Sequence, residues 1–283
     1  MLRIPLMHKF VGRVSLLPLG LFAVGLAWGQ QSHYSTIKRP RVLVHTGCGS
    51  QPAEFPRRAL SRVLTKLNMP AVYIEDLNLL TPENLSHFDI FINSGSVDGI
   101  TAAQEKAVYD FVQHGGGFLA LHNSSAGDIP GGLWEKLIGG RFQKHPPPYL
   151  IKIHVTAAGR KSPITKGVED FEVVDEQHFV SYFVDGPPPP GIGPPGPLES
   201  AFWTSAPHVL IESESVDNTV DPELPRYAKY AKNGVTALIG GWWQIEGKGR
   251  MVFFAPGHMA EVMNNPMMQK LYYNALEWLA RED

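Results

Sequence analysis

The chain has 283 residues, 43% of them hydrophobic, and a formal net charge of −2, the profile of an ordinary globular protein with material for one sizeable core. No basic stripe interleaved with aromatics appears, which excludes nucleic acid as the expected partner, and the single cysteine, Cys48, excludes an intramolecular disulfide. At the start, Arg3, Lys9 and Arg13 precede the apolar run Val14–Ala27, followed by a small-x-small site at Ala27-Trp28-Gly29 and by Gln30-Gln31. The pattern predicts a secretory signal peptide over residues 1–29. The run is short for a bilayer span of about 20 residues and contains Pro18, so export with cleavage is expected, with no stable membrane insertion afterwards. Residues 1–29 carry three positive charges and no negative ones, which leaves the mature chain at −5. Residues 30–39 then serve as a linker to a single domain over 40–283.

In that domain Arg41–His45, bounded by Pro40 and Gly47, reads as a central strand. Leu60, Val63, Leu64 and Leu67 recur at helical spacing after Pro56. Ala71–Glu75 and Asp89–Asn93 read as two further strands. Thr101 with Gln104 makes a capping box, opening a helix that should bury Ala107, Val108, Phe111 and Val112 and end at Gly115. A strand Phe118–Leu121 follows. This alternation predicts an α/β fold, a doubly wound and mostly parallel sheet with helices on both faces. Past residue 140 the order loosens. Tyr149–Thr156 alternates like a half-exposed strand, and Phe171–Val174 is strand-like. Gly186–Pro197 is too rich in proline and glycine for sheet or helix and predicts a surface loop or flap. Strands return at His208–Glu212, Thr236–Ile239 and Arg250–Phe254, and a last helix should bury Tyr272, Ala275, Leu276 and Leu279.

The stretch Gly115-Gly-Gly-Phe-Leu-Ala-Leu-His122-Asn-Ser-Ser-Ala-Gly127 is the most informative. Glycines feed a buried strand whose carboxyl end is where parallel sheets display ligand-binding and catalytic groups. Together with Gly140-x-Phe142-x-x-His145, Ser162-Pro-Ile-Thr-x-Gly167 leading to Asp175-Glu176, Gly247-Lys-Gly-Arg250-x-x-Phe-x-x-x-Gly257-His258 and Asn274-Ala-Leu-Glu-Trp278, it resembles the ThuA-like family, named for a trehalose-utilisation protein. The resemblance runs over most of residues 40–281. It implies a flavodoxin-like fold similar to class I glutamine amidotransferases, and a carbohydrate-related role. The proline-rich segment and Asp217–Lys232 depart from it. An amidotransferase needs a thiolate at the strand-to-helix elbow to form a thioester; here the elbow carries His122, and Cys48 follows the first strand instead. Glutamine hydrolysis through the usual cysteine is therefore not expected. Ser124 as a nucleophile is disfavoured too, because Asn-Ser-Ser-Ala-Gly lacks the first glycine of G-x-S-x-G.

His45, His122, His145 and His258 all stand where strands or their turns end. A doubly wound sheet would bring His45, His122 and His258 to one edge, whereas His87, His114, His154, His178 and His208 read as surface or packing residues. Of Asp175-Glu176, adjacent residues on an extended chain point to opposite sides, so one should face the pocket, and Glu176 is chosen. A histidine beside a carboxylate suits proton transfer, because the carboxylate orients the ring. The same groups would suit a divalent metal, although no HxH or HExxH spacing is present. Trp243, after Gly240-Gly241 and Trp242, offers an aromatic face for a sugar ring, core packing being the rival explanation.

The resulting expectation is acid–base chemistry on a sugar or keto-sugar, with His122, Glu176 and His258 catalytic and His45, Asn123, Ser124, His145 and Trp243 contacting substrate. The partner would be a small carbohydrate, the cofactor is unspecified with a divalent metal as an option, and homo-oligomer formation is left open. A non-catalytic carbohydrate-binding module and a metal-dependent hydrolase are the competing classes.

Overall fold

A computed structural model describes residues 39–47, 51–126, 131–182, 208–216, 231–232 and 235–281. The expected signal peptide, Cys48, Trp203 and the proline-rich segment 186–197 lie outside the described residues. Strands β1 (Val42–His45), β2 (Ala71–Ile74), β3 (Ile90–Asn93) and β4 (Gly117–Leu121) alternate with helices α1 (Glu54–Leu67), α2 (Pro82–Leu85) and α3 (Ala102–Gln113). Helix α4 (Leu133–Ile138) leads into β5 (Gly140–Lys144), β6 (Tyr149–Val155), β7 (Phe171–Asp175), β8 (Phe179–Tyr182), β9 (Val209–Ser215), β10 (Ala231–Lys232), β11 (Val235–Glu246) and β12 (Gly249–Phe254), and helices α5 (Ala260–Asn264) and α6 (Pro266–Leu279) follow.

The main sheet has the order β2-β1-β3-β4-β12-β11-β9-β6-β7, with β10 on β11. Its first half, β2-β1-β3-β4-β12, is parallel throughout, the flavodoxin-like 2-1-3-4-5 order with β12 in the fifth place. Beyond β12 the pairings turn antiparallel, so the fold is the expected α/β class with an antiparallel extension. The strand sequences explain the layering. Val42, Val44, Ile92, Leu119, Leu121, Val252 and Phe254 enter one apolar cluster with α1 and α6, while Leu43, Phe91, Phe118, Ala120, Met251 and Phe253 enter the other with α3 and α4. Period-2 alternation sends neighbours to opposite faces, and because helices cover both, the strands read as unbroken apolar runs.

Local signals do their expected work. The Thr101 hydroxyl accepts from the Gln104 amide and the Gln104 side chain returns to the Thr101 amide, closing the capping box. Phe111 is half-buried rather than fully buried. Residues Tyr272, Ala275, Leu276 and Leu279 of α6 are buried. Strand β11 is far longer than the expected Thr236–Ile239, because the chain bulges at Gly240-Gly241 and continues. A Cβ on Gly241 would stand 2.7 Å from the Phe254 ring and 2.8 Å from the Phe253 carbonyl oxygen, so this glycine lets the neighbouring strand of the core come close. Among the described residues no helix is long and apolar enough to cross a membrane.

Candidate active site

Every strand of the parallel half delivers its last residue to one rim, and the chemistry collects there. His45 and Asn93 end β1 and β3, His122 follows β4, and Ala255–His258 follow β12. A flat sheet would hold β7 about 19 Å from β12, at about 4.8 Å per strand. Yet the Asp175 Oδ2 accepts from the Gly257 amide at 2.7 Å. Four antiparallel steps leave β7 running the same way as β12, so its carboxyl end carries Glu176 to the same rim, where it meets the segment Ala255–His258.

Around one oxygen of Glu176 stand four imidazoles of the described residues. His258 Nδ1 lies 3.2 Å from Oε2, His122 Nε2 3.3 Å, His145 Nε2 3.5 Å and His178 Nε2 3.8 Å. The His122 ring packs on His178 at 3.7 Å between centroids and lies 5.2 Å from His258. His122 and His178 are buried, whereas the His145 side chain is 35% exposed. Each member is held from behind. His122 sits at φ +38°, a left-handed elbow costing about 1–3 kcal/mol in a non-glycine residue; its Nδ1 bonds the Ala255 carbonyl at 2.7 Å. His145 follows β5 and His178 precedes β8, so the antiparallel β5–β8 ribbon presents both. The loop carrying His258 is gripped on two sides. Asp175 takes the amides of Gly257, His258 and Met259 at 2.7, 3.1 and 3.0 Å, and the Gln51 amide nitrogen donates to the carbonyls of Gly257 and His258.

Burial alone would push the Glu176 carboxyl up; His122 and His178 by close approach, and His258 and His145 through charge, outweigh it and hold Glu176 well below the ordinary carboxylate range. Burial and the neighbouring His122 keep His178 well below the usual imidazole value. Burial also lowers His258, the pull of Glu176 notwithstanding. Burial raises the Asp175 carboxyl, against the lowering effect of His122 and of the amides it accepts. The site is thus an ionised carboxylate ringed by imidazoles. Ligand atoms of His122, Glu176 and His258 also lie within 4.8 Å of one another, close enough for one ion to touch all three.

The structure brings His122, Glu176, His258 and His145 together. His178 requires a correction: it is a member of the cluster, not a surface or packing residue. The signal was present, since Glu176 and His178 are two apart on extended chain and share a face. Asp175 and Glu176 both serve the site, one holding backbone and the other facing the imidazoles. Ser124 is a structural staple rather than a substrate contact. Its buried hydroxyl accepts from the Leu121 amide and the Asn93 amide nitrogen and donates to the Asn93 carbonyl. Asn93 Nδ2 is committed to Ser124 and Gly95, so its oxygen accepts from His45 Nδ1–H at 2.7 Å. His45 is therefore fully buried at the β1–β3 crevice, its pKa lowered by burial. Asn123 is half-buried in the turn after His122. Trp243 pairs with Val252, two residues down from the rim, and its half-buried ring meets Trp278 and His208 edge-on at 5.5 and 4.5 Å; this is core packing, which corrects its assignment as a stacking wall. His208 does pack, as expected, and His154 forms ion pairs with Asp170 and Glu214.

The sequence model of the family described as "ThuA: Trehalose utilisation" matches residues 41–188. No curated protein matches the chain. Among solved structures, a ThuA-like protein from Bacteroides uniformis superposes with a TM-score of 0.61 at 17% identity, over 90% of this chain and 97% of that one. One from Parabacteroides merdae gives 0.61 at 13% identity, over 87% and 93%. A cytoplasmic protein from Salmonella typhimurium gives 0.55 at 13% identity, over 85% and 100%. At these identities the structural likeness speaks to the fold alone.

Proposed function

The chain belongs to the ThuA family of trehalose-utilisation proteins, with the carbohydrate-related role that membership implies, and on that footing we propose that it is an enzyme performing acid–base chemistry on a sugar or keto-sugar. The observation that carries the proposal is the buried carboxylate of Glu176 with His122, His145 and His258 at 3.2 to 3.5 Å. Proton transfer at a carbon or oxygen of a sugar needs a base and an acid within hydrogen-bond reach of one substrate. His258, half-buried with its pKa lowered, is free to accept a proton at neutral pH. His145 is the most exposed ring of the cluster, where a sugar hydroxyl would first arrive. Cysteine-dependent amide transfer has no support, because the elbow after β4 offers an imidazole in place of a thiol.

The same proposal has the chain exported. The basic, apolar and small-residue regions of residues 1–29 support it, and mass spectrometry of the mature N-terminus checks it. The proposed partner is a small carbohydrate.

To test the chemistry, the purified mature chain is incubated with a panel of disaccharides and their keto forms, and products are followed by mass spectrometry. One member of the panel is expected to turn over. Glu176→Gln should lower that rate at least about 100-fold, the scale of positioned acid–base groups. No product from any member, or an undiminished rate in the variant, would overturn the proposal.

A further inference from the structure

We propose that the imidazole–carboxylate cluster is a binding site for one divalent first-row transition ion, held by His122 Nε2, His258 Nδ1 and Glu176 Oε2, with His145 Nε2 beside the carboxylate. The argument is independent of which sugar is turned over. It begins with tautomers. A carbonyl oxygen only accepts, so the bonds from His122 Nδ1 to Ala255 O and from His145 Nδ1 to Pro146 O require the proton on Nδ1 of each ring. In the neutral rings both Nε2 atoms then present lone pairs, and both face the same carboxylate oxygen. Such back-side bonding is how proteins orient histidine ligands toward a metal.

Second, proximity here is not hydrogen bonding. His122 Nε2 and His258 Nδ1 come within 3.3 and 3.2 Å of Glu176 Oε2, yet neither has a hydrogen-bond partner. His122 is wholly buried, so no solvent reaches that nitrogen. One proton could reconcile one nitrogen with the carboxylate and would leave the remaining lone pairs opposed; one cation reconciles them all.

Third, the spacing suits an ion. Ligand bonds of about 2.0–2.1 Å in a tetrahedron place neighbouring ligand atoms about 3.3–3.4 Å apart. His258 Nδ1 and His122 Nε2 stand 3.2 and 3.3 Å from Oε2, and the three ligand atoms all lie within 4.8 Å of one another. Two imidazoles and a carboxylate form a borderline donor set that favours zinc and its neighbours over magnesium or calcium. His178, farther off at 3.8 Å and stacked on His122, backs the ligand ring without joining the set.

The full chain, purified without a histidine tag and stripped with chelator, is titrated with zinc chloride by calorimetry and with cobalt(II) chloride by visible absorption. One ion per chain is expected, with cobalt d–d bands and a zinc-dependent rise in melting temperature. His258→Ala and the isosteric Glu176→Gln should each weaken zinc affinity about 100-fold, at the upper end of what even supporting residues contribute. His154→Gln, remote from the cluster, should bind as the parent does. Absence of saturable binding, or parent-like affinity in both ligand variants, would overturn the metal site. A stripped chain that turns over sugar undiminished sinks the ion's part in the chemistry while sparing the sugar reading. A chain that binds one ion but transforms no sugar does the reverse.

Discussion

Acid should unfold this protein earlier than its carboxylates alone would dictate. Burial lowers the pKa of His45, His178 and His258, so the fold keeps these rings neutral while the unfolded chain protonates them near 6.5. The sign follows from the proton count. As pH falls below 6.5 the unfolded state binds more protons than the folded one, and stability drops. Between about pH 7 and pH 5.5, a ring that stays neutral in the fold removes about 1.3 kcal/mol by linkage. His178 alone should supply that much, and three such rings set an upper bound of about 4 kcal/mol. Glu176, with its pKa depressed, contributes only below the ordinary carboxylate pKa of the unfolded chain, outside this window. Asp175, with its pKa raised, works in the opposite sense and trims the loss as pH falls. At about 2–4 °C per kcal/mol for a domain of this size, the melting temperature of the chelator-treated chain should fall by about 3–16 °C. Urea unfolding at the two pH values, with an unchanged m-value, measures the free energy directly. His178→Phe should reduce the loss between pH 7 and pH 5.5 by about 1.3 kcal/mol. Stability that stays level or rises from pH 7 to 5.5 would refute the reasoning.

Two further substitutions separate support from chemistry. Ser124→Ala removes three buried hydrogen bonds and should cost about 3 kcal/mol, given about 1 kcal/mol for each bond and more for groups left unpaired; thermal melts check this, and KM for the sugar should be unchanged. Trp243→Ala truncates a half-buried core residue against Trp278 and should cost about 2–4 kcal/mol without altering KM, whereas a large rise in KM would restore it to the sugar site.

Some of this architecture is legible in the amino-acid order because its causes are local. Unbroken apolar runs such as Ile90–Ile92 and Phe118–Leu121, the capping box at Thr101 and Gln104, and the helical stripe of α6 follow from side-chain periodicity and backbone satisfaction alone. Those features are enough for an α/β fold, and they bring histidines to strand ends. What periodicity cannot supply is the partner across space. The carboxyl end of β7 meets the segment after β12 only in the folded sheet, so Asp175 and Glu176 acquire meaning at a distance of about 80 residues from His258. The β5–β8 ribbon, too short and mixed to announce itself, carries His145 and His178 into the cluster. Ser124 and Trp243 look functional as residue types, and only packing reveals their structural part: the Ser124 hydroxyl is saturated by three buried bonds, and the half-buried Trp243 ring lies edge-on to Trp278. Residue chemistry was set by the order of amino acids; which groups meet, and which are already satisfied, was decided by the tertiary structure.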